Sequence, residues 1–168
     1  MSTRTPWTIH DSPLGPLTLL GGPRGLTALR FEGDGERLDT RDREPAAFAE
    51  ASRQLEEYFA GHSARFELAL DLGGTPFGRR VWQALQAIPH GTTTTYSALA
   101  ASLGRPEAVR AVAGAVARTP VPIVVPCHRV LGSGGALTGY VGGLECKQAL
   151  LDLERGRLNI TLRETGLG

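Results

Sequence analysis

In Val121-Pro122-Ile123-Val124-Val125-Pro126-Cys127-His128-Arg129-Val130, an apolar, strand-like run delivers a cysteine, a histidine and an arginine to the edge of a glycine-rich segment. Element ends and loops are where reactive side chains become reachable. Cys127 stands at such an end, and the loop beyond it, Gly132 to Gly143, holds six glycines in twelve residues. A thiol attacks only as thiolate and needs an activating base nearby. His128 and Arg129 are its cationic neighbours. Adjacent side chains on an extended segment point to opposite faces, so a direct sulfur–imidazole contact requires a sharp turn, and a bridging water is the alternative. By itself, a lone cysteine is more often an inert buried hydrophobe.

Toward the C-terminus, a helix expected to start near Leu144 carries Lys147, Leu150, Leu151 and Glu154. Glu154 follows Leu150 and Leu151 by four and three residues and so shares their face. A carboxylate beside an apolar stripe wants a partner, and His128 is suitable; a helix-end glutamate turned to solvent is the other reading. The glycines of the loop either make a flexible connector or let the backbone approach a flat ligand, which Tyr140, the loop's only aromatic, could stack on. No Gly-Lys-Ser/Thr follows, so a P-loop is rejected.

Toward the N-terminus the punctuation is helical. Thr75-Pro76 reads as N-cap and first turn of a helix with Val81, Trp82, Leu85 and Ile88 on one face. Thr95 caps a short helix closed by Gly104, and Pro106 is expected to open another, carrying Val109, Val112, Ala113 and Val116. Two short helices across a tight turn form a helix-turn-helix candidate, although ordinary bundle helices give the same pattern. The first half reads as a small α/β unit. Leu17–Leu20 and Leu26–Phe31 are expected strands, Pro45 to Ala60 a helix, and Phe66–Leu70 a third, half-buried strand. Gly73-Gly74 divides the chain into an N-terminal α/β domain, 1–74, and a C-terminal domain, 75–168.

Composition narrows the class. At 168 residues, with 41% hydrophobic and 21% charged, the chain is an ordinary globular protein. No apolar run approaches the roughly 20 residues that span a bilayer, and the start lacks a signal-like segment, so a cytoplasmic address is expected. Two cysteines and four scattered histidines give neither a disulfide framework nor metal-ligand spacing. Residues 1–75 carry 8 basic against 12 acidic side chains and residues 76–168 carry 10 against 5, so the second half is the better partner for a polyanion. Lys147 is the only lysine among the 18 basic residues, a compositional feature to which no function attaches.

These residues together resemble the O6-alkylguanine-DNA alkyltransferase family, the methylated-DNA–protein-cysteine methyltransferases. The resemblance runs from Thr75-Pro76-Phe77-Gly78-Arg79-Arg80-Val81-Trp82 to Leu150-Leu151-Asp152-Leu153-Glu154, about half the chain. Its centre is Pro126-Cys127-His128-Arg129-Val130, followed by Gly139-Tyr140-Val141-Gly142-Gly143-Leu144. The resemblance implies that Cys127 accepts the alkyl group, activated through water by His128, itself paired with Glu154. It implies that Tyr140, Val130, Val141 and Pro122 hold a flipped guanine. Arg110 fills the gap in the base stack, Tyr96 presses on the adjacent phosphate, and Thr95, Ala111 and Arg129 complete the DNA-contacting set. The fold implied is a ribonuclease-H-like N-terminal α/β domain and a mainly α-helical, winged-helix-like C-terminal domain with a helix-turn-helix. The expected partner is double-stranded DNA containing O6-alkylguanine, entered from the minor groove, with O4-alkylthymine a further substrate. The protein is expected to act as a monomer without cofactor, metal or membrane.

The chain departs from the family pattern in places. Thr119 replaces a common Asn and offers one hydroxyl where an amide offers several hydrogen bonds. Ala113 replaces a Gly, and Arg105 removes the usual N-cap oxygen before the second short helix. The zinc ligands found in the N-terminal domain of some members have no counterpart. The rivals are a non-catalytic lesion binder, which Cys127 opposes, a helix-turn-helix transcriptional regulator, which does not need the Cys127–His128–Glu154 set, and a cysteine hydrolase.

Overall fold

The computed structural model describes residues 4–32 and 37–157. Its N-terminal half is an antiparallel sheet of three strands in the order β1 (Trp7–Ser12), β2 (Gly15–Gly22), β3 (Gly25–Phe31). The hairpin between β1 and β2 closes where Ser12 Oγ donates to Gly15 O, 2.6 Å. Between β2 and β3 the turn brings Gly25, at φ 131°, so near Ala69 that a Cβ would lie 2.4 Å from its carbonyl. Helix α1 (Ala49–Phe59), preceded by a 3-10 turn at Pro45–Phe48, lays Leu55, Tyr58 and Phe59 on the sheet's Leu17, Leu19 and Leu29. β1 was not among the expected strands.

Two expected strands are corrected. Phe66–Leu70 alternates as a strand does, yet it meets β3 only at a parallel bridge, Leu26 to Leu70. Farther along, the β3 edge is occupied, because Leu29 N donates to Pro120 O, 2.9 Å. Val121–Val125 is a turn: Val125 N donates to Val121 O at 2.9 Å, and Ile123 sits at φ 75°. Pro120, Pro122 and Pro126 lack the N–H that a ladder needs. The run's apolar side chains serve two cores instead of a sheet. Val121 and Ile123 enter the core under β1–β3, while Val125 and Cys127 enter the core of the second half.

The second half is built on α2 (Pro76–Gln86), α3 (Tyr96–Ser102) and α4 (Val109–Ala117). Thr75 and Thr95 cap α2 and α3 as expected, accepting from Gly78 N at 3.0 Å and Ala98 N at 3.1 Å. α4 packs on both other helices, and Trp82 Nε1 fixes it to α2 by donating to Ala115 O, 2.9 Å. α4 opens at Val109, not Pro106: Ala108 N turns back to Arg105 O at 2.9 Å, and no side chain caps the helix. The absent cap oxygen at Arg105 accounts for the late start. A two-stranded parallel pair, β4 (Thr94–Thr95) with β5 (Val130–Leu131), ties the start of α3 to the segment after Cys127. α5 (Leu144–Glu154) closes the fold, and its Cys146 and Leu150 join the N-terminal core. Among the described residues, no helix is long and apolar enough to cross a membrane.

Candidate active site

Cys127 opens a 3-10 turn, Cys127–Arg129, and not a strand end. Cys127 N closes on Val125 O at 2.7 Å and Arg129 N on Pro126 O at 3.0 Å. This is the sharp turn that successive reactive side chains need, and it places all three inside the protein: Cys127 is 3% exposed, His128 0%, Arg129 7%. Glu154, from the last turn of α5, is buried beside them, so the solvent-facing reading of this glutamate falls.

Glu154 is the hub. Its Oε2 lies 2.7 Å from His128 Nε2 and accepts from Arg129 Nη2 at 2.9 Å and from Tyr58 Oη at 2.6 Å. Its Oε1 accepts from Arg129 Nε at 2.8 Å and from Gly91 N at 3.3 Å. Burial pushes the Glu154 carboxyl up, but the His128, Arg129 and Tyr58 bonds outweigh it and hold the group well below the usual carboxylate range. His128 is shifted the other way from what a carboxylate partner alone would give. Burial lowers its pKa, with Glu154 opposing and Arg129 and Lys147 assisting, so the resting ring is neutral. With Nε2 engaged by Glu154, Nδ1 is buried and has no hydrogen-bond partner among the described residues.

Burial likewise pushes the Cys127 thiol up to about 11, against the pull of the Thr119 hydroxyl and the Lys147 ammonium. Thr119 Oγ1 donates to Val116 O at 2.6 Å, so its single proton serves the sulfur only by leaving that carbonyl. Lys147 is fully buried, donates from Nζ to Thr138 O at 3.0 Å, and is itself lowered by burial, with Cys127 opposing. It anchors the glycine-rich loop in the position that presents Tyr140.

That loop needs its glycines for packing. A Cβ on Gly142 would lie 2.8 Å from the Phe31 ring of β3, and one on Gly132 would lie 2.8 Å from Thr138 Cγ2. Tyr140 stands edge-on to Phe31 and His128, at centroid distances of 5.7 and 6.5 Å, and its hydroxyl is buried without a hydrogen-bond partner among the described residues. Val130 and Pro122 are buried, while Val141 is 44% exposed.

The residues expected on DNA divide. Arg110 and Ala111 are exposed on the first turn of α4, and Thr95 and Tyr96 are half-buried at the start of α3. Tyr96 Oη accepts a long bond of 3.4 Å from Thr138 Oγ1, which joins α3 to the loop. Arg129 is a correction. Its side chain is only 8% exposed and its guanidinium is turned inward, with Nε and Nη2 donating to Glu154 and Nη1, at 2.6 Å, to Ile88 O, so it faces the interior and not a phosphate. Tyr58 and Lys147 are members of the site that the sequence reading did not assign. Lys147 shares the α5 stripe with Leu150, Leu151 and Glu154, the signal that singled out Glu154, whereas nothing local distinguishes Tyr58 from a core aromatic. Among the described residues, no group of three or more His, Cys, Asp or Glu side chains could hold a metal ion.

Buried Cys127, His128 and Glu154 thus lie in a fold whose second half carries two short helices, α3 and α4, the latter exposing Arg110. The chain belongs to the 6-O-methylguanine DNA methyltransferase family: the family's ribonuclease-like domain matches residues 6–72 and its DNA-binding domain residues 76–156. A methylated-DNA–protein-cysteine methyltransferase of Mycobacterium tuberculosis is 50% identical over 149 residues, covering 88% of this chain and 90% of that protein. One from Methanosarcina acetivorans is 45% identical over 151 residues, covering 88% and 97%. The crystal structure of Mycobacterium tuberculosis OGT in complex with DNA superposes with a TM-score of 0.86 at 47% identity, covering 94% of this chain and 97% of that one.

Proposed function

We propose that this protein repairs DNA directly, by moving a methyl or other alkyl group from guanine O6 to Cys127 in a single, irreversible turnover. The observation that carries the reading is the relay behind the thiol: Glu154 holds His128 by Nε2 at 2.7 Å and leaves Nδ1 as the basic atom available to Cys127. Through one bridging water, His128 takes the thiol proton. The thiolate attacks the alkyl carbon, the C–O6 bond breaks, and the electron pair stays on guanine, which takes up a proton. A hydrogen bond from Tyr140 to the departing base favours that charge. The product thioether cannot be reversed by thiol exchange, so each molecule repairs one base.

Guanine O6 is stacked in the duplex, and a buried thiol reaches it only if the nucleotide is flipped out. Extrusion costs a few kcal/mol, which an inserted side chain and phosphate contacts offset. The exposed Arg110 and Ala111 on α4 suit entry from the minor groove, with Arg110 filling the stack, Tyr96 and Thr95 against the phosphates, and Tyr140, Val130, Val141 and Pro122 around the flipped base. O4-alkylthymine is a second substrate of the same pocket. The division at residues 74 and 75 separates a ribonuclease-H-like unit from a winged-helix-like unit carrying the helix-turn-helix, and the protein works as a cytoplasmic monomer. Titration of a duplex bearing one O6-methylguanine tests this: lesion loss should saturate at one equivalent per protein. Continued turnover would refute it.

A further inference from the structure

Four of the five donors on Glu154 come from the second half of the chain: two from Arg129, one from His128 and one from Gly91. The fifth, Tyr58, comes from α1, 96 residues away in sequence, and donates to Oε2, the oxygen that also holds His128. Tyr58 is 2% exposed, and its ring is wedged edge-on against Phe59 and His90 and tilted on Phe66. Its hydroxyl therefore has a fixed aim.

We propose that Tyr58 is a positioning residue through which the N-terminal unit restrains the basicity of the His128–Glu154 pair, and with it the ease of forming the Cys127 thiolate. The inference rests on the reading of His128 as the base for Cys127. An ionised carboxylate has about four lone-pair sites, and five donors converge on this one. Each hydrogen bond withdraws negative charge, and Tyr58 does so at the very oxygen that must support a positive imidazolium. Removing its hydroxyl leaves Arg129 bidentate on Glu154, so the carboxylate keeps its place while its hold on a protonated His128 strengthens. Arg129 and Lys147 also act on His128 as charges, and the neutral Tyr140 stands edge-on to it; Tyr58 lies near Arg129 and Tyr140 as well, but its one hydrogen bond in this cluster is to Glu154. The hydroxyl therefore acts on His128 chiefly through the carboxylate that it bonds.

Tyr58→Phe in the full-length protein keeps the ring and removes the donor. Hydrogen bonds to charged groups are the strong class, and partial transmission to the imidazole gives an expected rise of about threefold to tenfold in the rate of Cys127 alkylation by iodoacetamide at pH 7.5. The rate is read by peptide mass so that Cys146 is excluded. The His128 ring titration, followed by NMR, should move to higher pH in parallel, and the melting curve certifies the fold. A rate within twofold of the parent with an unmoved His128 midpoint overturns the proposal, as does a slower rate. Methyl transfer from an O6-methylguanine duplex to the unmodified protein separates the two levels. If the parent fails to methylate Cys127, the reading of the site fails. If the parent transfers and Tyr58→Phe matches it in rate and midpoint, only the role of Tyr58 fails.

Discussion

Glu154→Gln probes both the fold and the chemistry. The Glu154 side chain is 1% exposed and its Arg129 partner 8%, so the substitution leaves a guanidinium buried without a counter-charge. Removing one member of a buried pair costs about 3–5 kcal/mol, most of it from the stranded charge. The glutamine amide adds to this, since whichever end its NH2 occupies faces a donor: Arg129 and Gly91 at one oxygen, His128, Tyr58 and Arg129 at the other. For a chain of this size, each kcal/mol moves the melting temperature by roughly 2–4 °C, so a fall of about 6–20 °C is expected. Thermal melting reads that fall, and urea unfolding followed by the fluorescence of Trp7 and Trp82 measures the free-energy loss, with an unchanged m-value as the check on two-state behaviour. Adding Arg129→Met removes the stranded charge, and the double variant should recover at least about 1 kcal/mol relative to the sum of the singles. A loss below about 1 kcal/mol in Glu154→Gln, or strict additivity in the double variant, would refute the view that Glu154 is held as a buried ion-pair hub.

Three further expectations follow from the same geometry. With the Cys127 thiol at about 11, roughly 3 in 10,000 molecules carry a thiolate at pH 7.5; alkylation by iodoacetamide in the free protein should rise about tenfold per pH unit from 7 to 10, and a plateau near pH 8.5 contradicts the burial argument. Acid should destabilise in two stages. The unfolded chain protonates His128 below about pH 6.5 while the folded site, with its lowered pKa, refuses the proton. Glu154, depressed in the fold, then loses its contribution as pH falls below about 4.3. Melting temperatures at pH 8, 6 and 4 should fall in that order, and a maximum near pH 5 would be inconsistent. Arg110→Ala should slow repair of duplex O6-methylguanine by about tenfold or more while sparing transfer from free O6-benzylguanine; equal losses on both would show that Arg110 serves the pocket and not base extrusion.

Where local chemistry decides structure, the sequence was readable. Thr75 and Thr95 are caps because a hydroxyl there meets a free N–H, and the spacing of Leu150, Leu151 and Glu154 left two readings of the carboxylate, paired with His128 or turned to solvent, of which the fold selects the first. β1 escaped because its alternation is inverted: Thr8 and His10 are buried while Ile9 is 39% exposed, so hydrophobicity marks the wrong face. Val121–Val125 misled for the opposite reason, its apolar side chains filling two separate cores from a proline-broken turn. Arg129 enters as a DNA contact through the family resemblance, and the Glu154 carboxylate brought by α5 turns its guanidinium inward. The Tyr58 contact spans 96 residues and two elements with no shared periodicity, so no local pattern encodes it.

Intact mass and peptide mapping after incubation with a duplex carrying one O6-methylguanine decide whether Cys127 is the alkyl acceptor. Transfer to this thiol gives a gain of one methylene mass, confined to Cys127 and absent from Cys127→Ala. An unmodified protein with the lesion still bound, or a methyl group on Cys146, would contradict it.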